Sequence, residues 1–276
     1  MKLPFIFIFD IDETIIGNIT QQILEWQLLS IIDNSLISKF DITEDLNNGM
    51  LRPNFKEFID FINKKYKNVE IFVYTNSSFQ WATYGIIPNI QKTINNKINK
   101  PYFTRNDSNS SQKLLGNLYD SIIEQLISKY PSLKLDKNKE FVFKNQLVFI
   151  DDIKDNLKDY PQKQILCPAY NYIDIYDIKN RLINKYDIKE AAFDNEIVFN
   201  FFEEERLSFY NKKGSIYQQD KYFQELLELI LLRKKEVLNI EDTFFKSLLT
   251  IMDEEKTMKL DDNIIKNINE KLNKIK

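Results

Sequence analysis

The chain has 276 residues, 43% of them hydrophobic, and a formal charge of −3; this predicts one or two domains with a real core and gives no electrostatic case for nucleic acid or an anionic membrane. It has no histidine and one cysteine, Cys167. Ser-His-Asp and Cys-His catalysis, histidine metal ligands, intrachain disulfides and thiolate zinc sites are thereby excluded; catalysis must run on carboxylates, Lys, Arg, Ser, Thr or Tyr, and any metal should be a hard, oxygen-preferring ion such as magnesium.

Residues 2–9 (KLPFIFIF) imitate a signal peptide. The apolar run is short, however, lacks a small-residue cleavage site and meets Asp10, Asp12 and Glu13 at once, so Phe5–Phe9 reads as a strand. Residues 17–50 read as a helical insert containing a helix over Thr20–Ile32. Asn54–Lys65 is predicted helical, entered through Pro53, with apolar residues at 55, 58, 59 and 62. A strand over Val69–Tyr74 runs into Thr75-Asn76-Ser77-Ser78, and Leu114–Tyr130 is a further helix. A strand over Leu147–Ile150 ends in Asp151-Asp152, and Gln164–Cys167 is a fourth. Buried strands alternating with helices predict an α/β fold with a mainly parallel, Rossmann-like sheet.

The composition shifts after Pro168: all seven prolines lie at or before it, and only Gly214 follows among the glycines. Amphipathic helical patterns cover Tyr222–Ile240, Asp242–Met252 and Asn263–Lys276, the last with Ile264, Ile268, Leu272 and Ile275 on one stripe. The expected organisation is an α/β domain over 1–180 and an α-helical C-terminal extension over 181–276. The stripes should pack on one another or on the α/β part; a face for a protein partner is the alternative. No stretch approaches the roughly 18–20 apolar residues of a membrane helix, so an intracellular protein, cytoplasmic or nuclear and with no membrane partner, is expected.

Ligands of a parallel sheet sit at the carboxyl ends of its strands. Asp10 and Asp12 fall at one such end, Asp151 and Asp152 at another. If the two ends are adjacent, four carboxylates converge, and a divalent cation with oxygen ligands is the economical counter-charge. The hydroxyls and backbone N–H groups of Thr75–Ser78 suit an oxyanion such as phosphate. Each fragment alone is an ordinary turn or helix cap. Their order, each after a predicted strand, favours a site.

FDIDETI (9–15), VYTNSS (73–78) and FIDDIKDNL (149–157) resemble three motifs of the haloacid dehalogenase-like phosphatases. The resemblance is strongest to the small RNA polymerase II C-terminal-domain phosphatases, also called NLI-interacting-factor-like, through Asp10-x-Asp12-Glu13-Thr14, Arg52-Pro53 with Phe58, Thr75-x-Ser77 and YFTRNDS (102–108). It covers roughly residues 4–170. It implies magnesium held by Asp10, the backbone carbonyl of Asp12, and Asp151, with Asp152 a further ligand or the orienter of a metal-bound water. It implies Asp10 as nucleophile, Asp12 as general acid and base, Thr75 and the amides near Asn76 as phosphate binders, and Thr14 holding the loop. The family also uses a lysine. Lys113 and Lys144 are the candidates; Lys144, placed near the start of the third strand, would lie roughly 20 Å from the site, so Lys113 is preferred. The chain departs from that family in its helical insert and in Asp151-Asp152, where Asp-Asn is usual.

The expected function is a magnesium-dependent phosphatase forming an aspartyl-phosphate, acting on a phosphorylated substrate such as a protein phosphoserine or phosphothreonine. A small phosphate ester, a nucleic-acid end, or a non-catalytic scaffold role in a larger complex are the alternatives.

Overall fold

All five residues of β1 (Phe5–Phe9) are buried, as a strand inside a parallel sheet covered on both faces must be. The computed structural model describes residues 2–108, 112–174, 176–198, 200–201, 242–255 and 258–275. In it β1 is flanked by β2 (Val69–Val73) and β3 (Leu147–Asp151), with β4 (Gln164–Leu166) outside β3. The sheet order is β2-β1-β3-β4 and every pairing is parallel, so the α/β class read from the sequence holds. The helices in chain order are α1 (Thr20–Ile32), the single turn α2 (Thr43–Asp45), α3 (Phe55–Lys65), α4 (Ile87–Ile94), α5 (Leu115–Lys129), α6 (Leu135–Gln146), α7 (Ile178–Tyr186), α8 (Phe244–Glu254) and α9 (Asp262–Ile275). The helical character expected of residues 17–50 is present in α1, α2 and the short turns around them.

Alternation along β1 distributes the core. Ile6 and Ile8 join Phe72, Phe149 and the buried residues of α5 and α6, among them Leu118, Ile122, Leu126 and Val142. Phe7 and Phe9 meet α3 instead: Phe7 lies edge-on to Phe58 at 6.2 Å and Phe9 edge-on to Phe55 at 5.3 Å. The C-terminal α8 completes that side, with Phe245 at 4.9 Å from Phe55 and 5.4 Å from Phe58. Helix α9 lies against β4. Its Asn269 side chain accepts from the Leu166 N–H at 3.1 Å and donates to the Gln164 carbonyl at 2.9 Å. An edge strand's exposed backbone groups are a liability, and Asn269 occupies them as a neighbouring strand would.

By contact the chain falls into two compact units. One unit draws on residues 1–17, 43–171 and 242–276, and the other on 18–42 and 172–241. Composition marks the change of character after Pro168, but it cannot show that the chain from Asp242 onward returns to the sheet. In the second unit the buried Glu25 of α1 accepts from the hydroxyls of Tyr176 at 2.6 Å and Tyr186 at 2.8 Å and pairs with Arg181 Nε at 2.8 Å. A carboxylate out of water needs such donors.

Two local expectations change. Of the α9 stripe read in sequence, Ile268 and Leu272 are buried, but Ile265 rather than Ile264 is buried with them and Ile275 is 55% exposed. Lys144 belongs to the last turn of α6, where it pairs with Glu140 at 2.6 Å in solvent, because β3 begins only at Leu147. The pattern over Tyr222–Ile240 lies outside the described residues. Among those residues no helix is long and apolar enough to cross a membrane.

Candidate active site

The Asp10 N–H donates to the Ile150 carbonyl at 2.9 Å, and the Tyr74 N–H donates to the Phe9 carbonyl at 2.9 Å. The ends of β1, β2 and β3 therefore stand side by side. From β1 the sheet grows to β2 on one side and to β3 on the other, so the crevice between β1 and β3 is a topological switch point, where ligands bind in open α/β sheets. Asp10 and Asp151 border it. After Asp12 the chain turns sharply, with Glu13 in the left-handed region at φ 57.

Lys113 joins the two acids. Its backbone pairs with the loop after β3, donating to the Asn156 carbonyl at 3.0 Å and accepting from the Lys158 N–H at 3.1 Å. That pairing directs a fully buried side chain to 2.7 Å from Asp10 Oδ1 and 2.8 Å from Asp151 Oδ2, between the rings of Phe149 and Tyr74 at 5.2 and 5.6 Å. The Asp151 carboxylate also accepts from Asn156 Nδ2 at 2.9 Å and from the Ile153 N–H at 2.7 Å. Thr14 Oγ1 donates to Asp152 Oδ1 at 3.0 Å and accepts from the Asp152 N–H at 3.1 Å.

Asp12 faces the β2 end. Its Oδ2 accepts from Thr75 Oγ1 at 3.1 Å and from Ser77 Oγ at 2.9 Å, and the Ser77 N–H donates to Thr75 Oγ1 at 3.1 Å. The other oxygen, Oδ1, is buried and accepts no hydrogen bond from the described residues. Asn76 lies in the same loop, its carbonyl accepting from Arg105 Nε at 2.8 Å.

Electrostatics follow from burial. Asp10 is pushed up to about 8, by burial first and by the nearby Asp151 and Asp12 carboxylates, against the pull of Lys113. Burial raises Asp12 as well, opposed by the bonds from Ser77 and Thr75, and raises Asp152 against its bond from Thr14. Burial works against the charge of Lys113, but Asp10 and Asp151 outweigh it and hold that pKa above the ordinary lysine value. The site is short of positive charge even with its lysine. Asp10, Asp151 and Asp152 can each offer an oxygen within 4.8 Å of the others, a hard donor set that fits magnesium. One oxygen of the Asp12 carboxylate is held by Thr75 and Ser77, and Asp12 is not one of the three acids of this cluster; the metal role that the resemblance implies for Asp12 belongs to its backbone carbonyl.

The structure thus gathers Asp10, Asp12, Thr75, Lys113, Asp151 and Asp152 around adjoining strand ends. Sequence alone assigns no role to Asn156 or Arg105, whereas the Ser77 hydroxyl belongs to the expected oxyanion cluster. Asn156 stands inside FIDDIKDNL. Arg105, whose N–H donates to the Ser77 carbonyl at 3.1 Å, lies in YFTRNDS, but only the folded loop brings it beside residues 75–77.

No protein-family model matches the chain, and no curated protein matches it in sequence. Among solved structures it is similar to the fission yeast RNA polymerase II CTD phosphatase Fcp1 bound to beryllium fluoride, at 18% identity and a TM-score of 0.39, covering 92% of this chain and 67% of that one. A structure of Fcp1 described as an essential RNA polymerase II CTD phosphatase gives 16% identity and a TM-score of 0.34 over the same shares. The parallel sheet and the acid cluster at its carboxyl edge fit the haloacid dehalogenase-like architecture that the motifs resemble.

Proposed function

We propose that the chain is a magnesium-dependent phosphatase of the haloacid dehalogenase-like type, hydrolysing phosphate monoesters through an aspartyl-phosphate on Asp10. One observation carries the reading: Lys113 sits buried at 2.7 and 2.8 Å from two carboxylates at the sheet's switch point, with a third carboxylate beside them. Asp10 attacks phosphorus, and the ester oxygen departs with a proton from Asp12. In the second step Asp12 takes a proton from the attacking water, which hydrolyses the aspartyl-phosphate and restores both acids. The raised pKa of Asp12 suits the first role, since a proton must be held near neutral pH to be given away. Thr75, Ser77 and the amides near Asn76 hold phosphoryl oxygens, and Lys113 offsets charge on the pentavalent state. Asp10, Asp151, Asp152 and the Asp12 carbonyl would hold magnesium, which would supply the positive charge that an anionic nucleophile needs to approach a phosphate.

The partner in this reading is the phosphorylated substrate. The motif resemblance supports a phosphoserine or phosphothreonine in a protein. Hydrolysis of p-nitrophenyl phosphate by wild type and Asp10→Asn, with and without magnesium, tests the chemistry. Wild type should turn over only with the metal, and Asp10→Asn should fall to background. Equal, negligible wild-type rates in both conditions would overturn the proposal.

A further inference from the structure

Arg52 is the largest fully buried side chain among the described residues, and the chemistry above gives it no role. It stands just before α3, far from any strand end in sequence. Its Nε and Nη2 grip the Asp242 carboxylate, with contacts of 3.1 Å to each oxygen from Nε and 2.9 Å from Nη2. Its Nη1 donates to the Thr14 carbonyl at 3.1 Å, and its backbone N–H donates to the Ile15 carbonyl at 2.9 Å. Phe244 caps one face of the guanidinium at 4.8 Å, and the Tyr170 ring lies at 5.5 Å. Thr14, held in this way, uses its hydroxyl on Asp152 alone among the acids, as donor at 3.0 Å and acceptor at 3.1 Å.

These contacts form one unbroken line from the C-terminal segment to the acid trio: Asp242, Arg52, Thr14, Asp152. A bidentate carboxylate–guanidinium pair fixes both orientation and distance, and ligand carboxylates bind a metal well only when held in place from behind. We propose that Asp242 is a positioning residue, which through Arg52 and Thr14 fixes the Asp152 carboxylate, so that the C-terminal segment sets the affinity of the site for its cation. The inference rests on the metal-dependent reading above. It predicts that the phosphatase part cannot be cut free of its tail without losing metal affinity, although residues 4–170 carry every motif.

The test titrates Mg2+ calorimetrically into the full chain and, in parallel, measures the Mg2+ concentration that half-activates p-nitrophenyl phosphate hydrolysis. Asp242→Asn should bind Mg2+ about tenfold more weakly, the low end of the effect of groups that orient metal ligands. The activation midpoint should shift by the same factor, with KM for the ester at saturating Mg2+ unchanged. Asp242→Glu should restore most of the affinity. Asp253→Asn, which loosens the same segment where it meets Lys65 at 3.5 Å, should keep all of it. If Asp242→Asn does not fold, the double variant Arg52→Met/Asp242→Leu, which removes both charges together, gives the same reading. Wild-type affinity in Asp242→Asn, or an equal loss in Asp253→Asn, overturns the inference alone. A wild type that binds no Mg2+ overturns the phosphatase reading with it.

Discussion

Lys113 is the residue on which the site turns. Two carboxylates within reach of one ammonium cannot relax apart, because the Asp10 N–H and the Asp151 carbonyl are fixed in backbone bonds at 2.9 and 3.0 Å. Lys113→Met should therefore leave the fold in place and lower kcat by roughly 10²–10³-fold, the scale of losing one preorganised charge-stabilising group; steady-state kinetics at saturating magnesium checks this. The proton on Asp10 gives a second prediction. Burial, with Asp151 and Asp12 adding and Lys113 opposing, holds its pKa at about 8, so below that pH an incoming cation must displace a proton. Apparent Mg2+ affinity should thus rise as pH increases from about 6 toward about 8, with proton release seen as a buffer-dependent heat of binding. A flat profile would contradict the environment described for Asp10.

At the scale of elements, the sheet's two faces are covered by different parts of the chain. Helices α5 and α6 cover the face of Ile6 and Ile8, while α3 and α8 cover the face of Phe7 and Phe9. Helix α8 is therefore part of the core and not an appendage. Phe245, fully buried among Phe9, Phe55 and Phe58, should cost about 3–5 kcal/mol when replaced by Ala. Chemical denaturation measures this, and a loss near zero would mean that α8 packs elsewhere. At the sheet edge, Asn269→Ala strips the Leu166 N–H and the Gln164 carbonyl of their partners. It should cost about 1–3 kcal/mol by the same measurement.

At the scale of the whole molecule, buried acids make stability depend on pH. A carboxylate whose folded pKa lies above its unfolded value binds its proton more tightly in the folded state, so its stabilising effect is lost as pH rises. For Asp10 that window runs from 3.8 to about 8, and the raised Asp12 and Asp152 act in the same direction. The metal-free protein should lose thermal stability as pH rises through that window. Asp10→Asn should reduce the slope, and saturating Mg2+ should reverse it, since a ligand bound to the folded state stabilises it. Melting curves at several pH values decide.

Sequence by itself determined the strands, the parallel α/β class and the acids and hydroxyls at the strand ends, because apolar runs that stop at charged residues are a local signal of burial and exit. It also favoured Lys113 over Lys144, although its reason placed Lys144 in a strand where the structure has α6. Only the tertiary structure decided that Lys113 spans Asp10 and Asp151, that Arg105 meets the loop at 75–77, that Asn269 closes the edge of β4 and that Asp242 reaches Arg52. Periodicity reports which face of an element is apolar, whereas these contacts join residues tens to nearly two hundred positions apart, and their partners are set by how the elements dock.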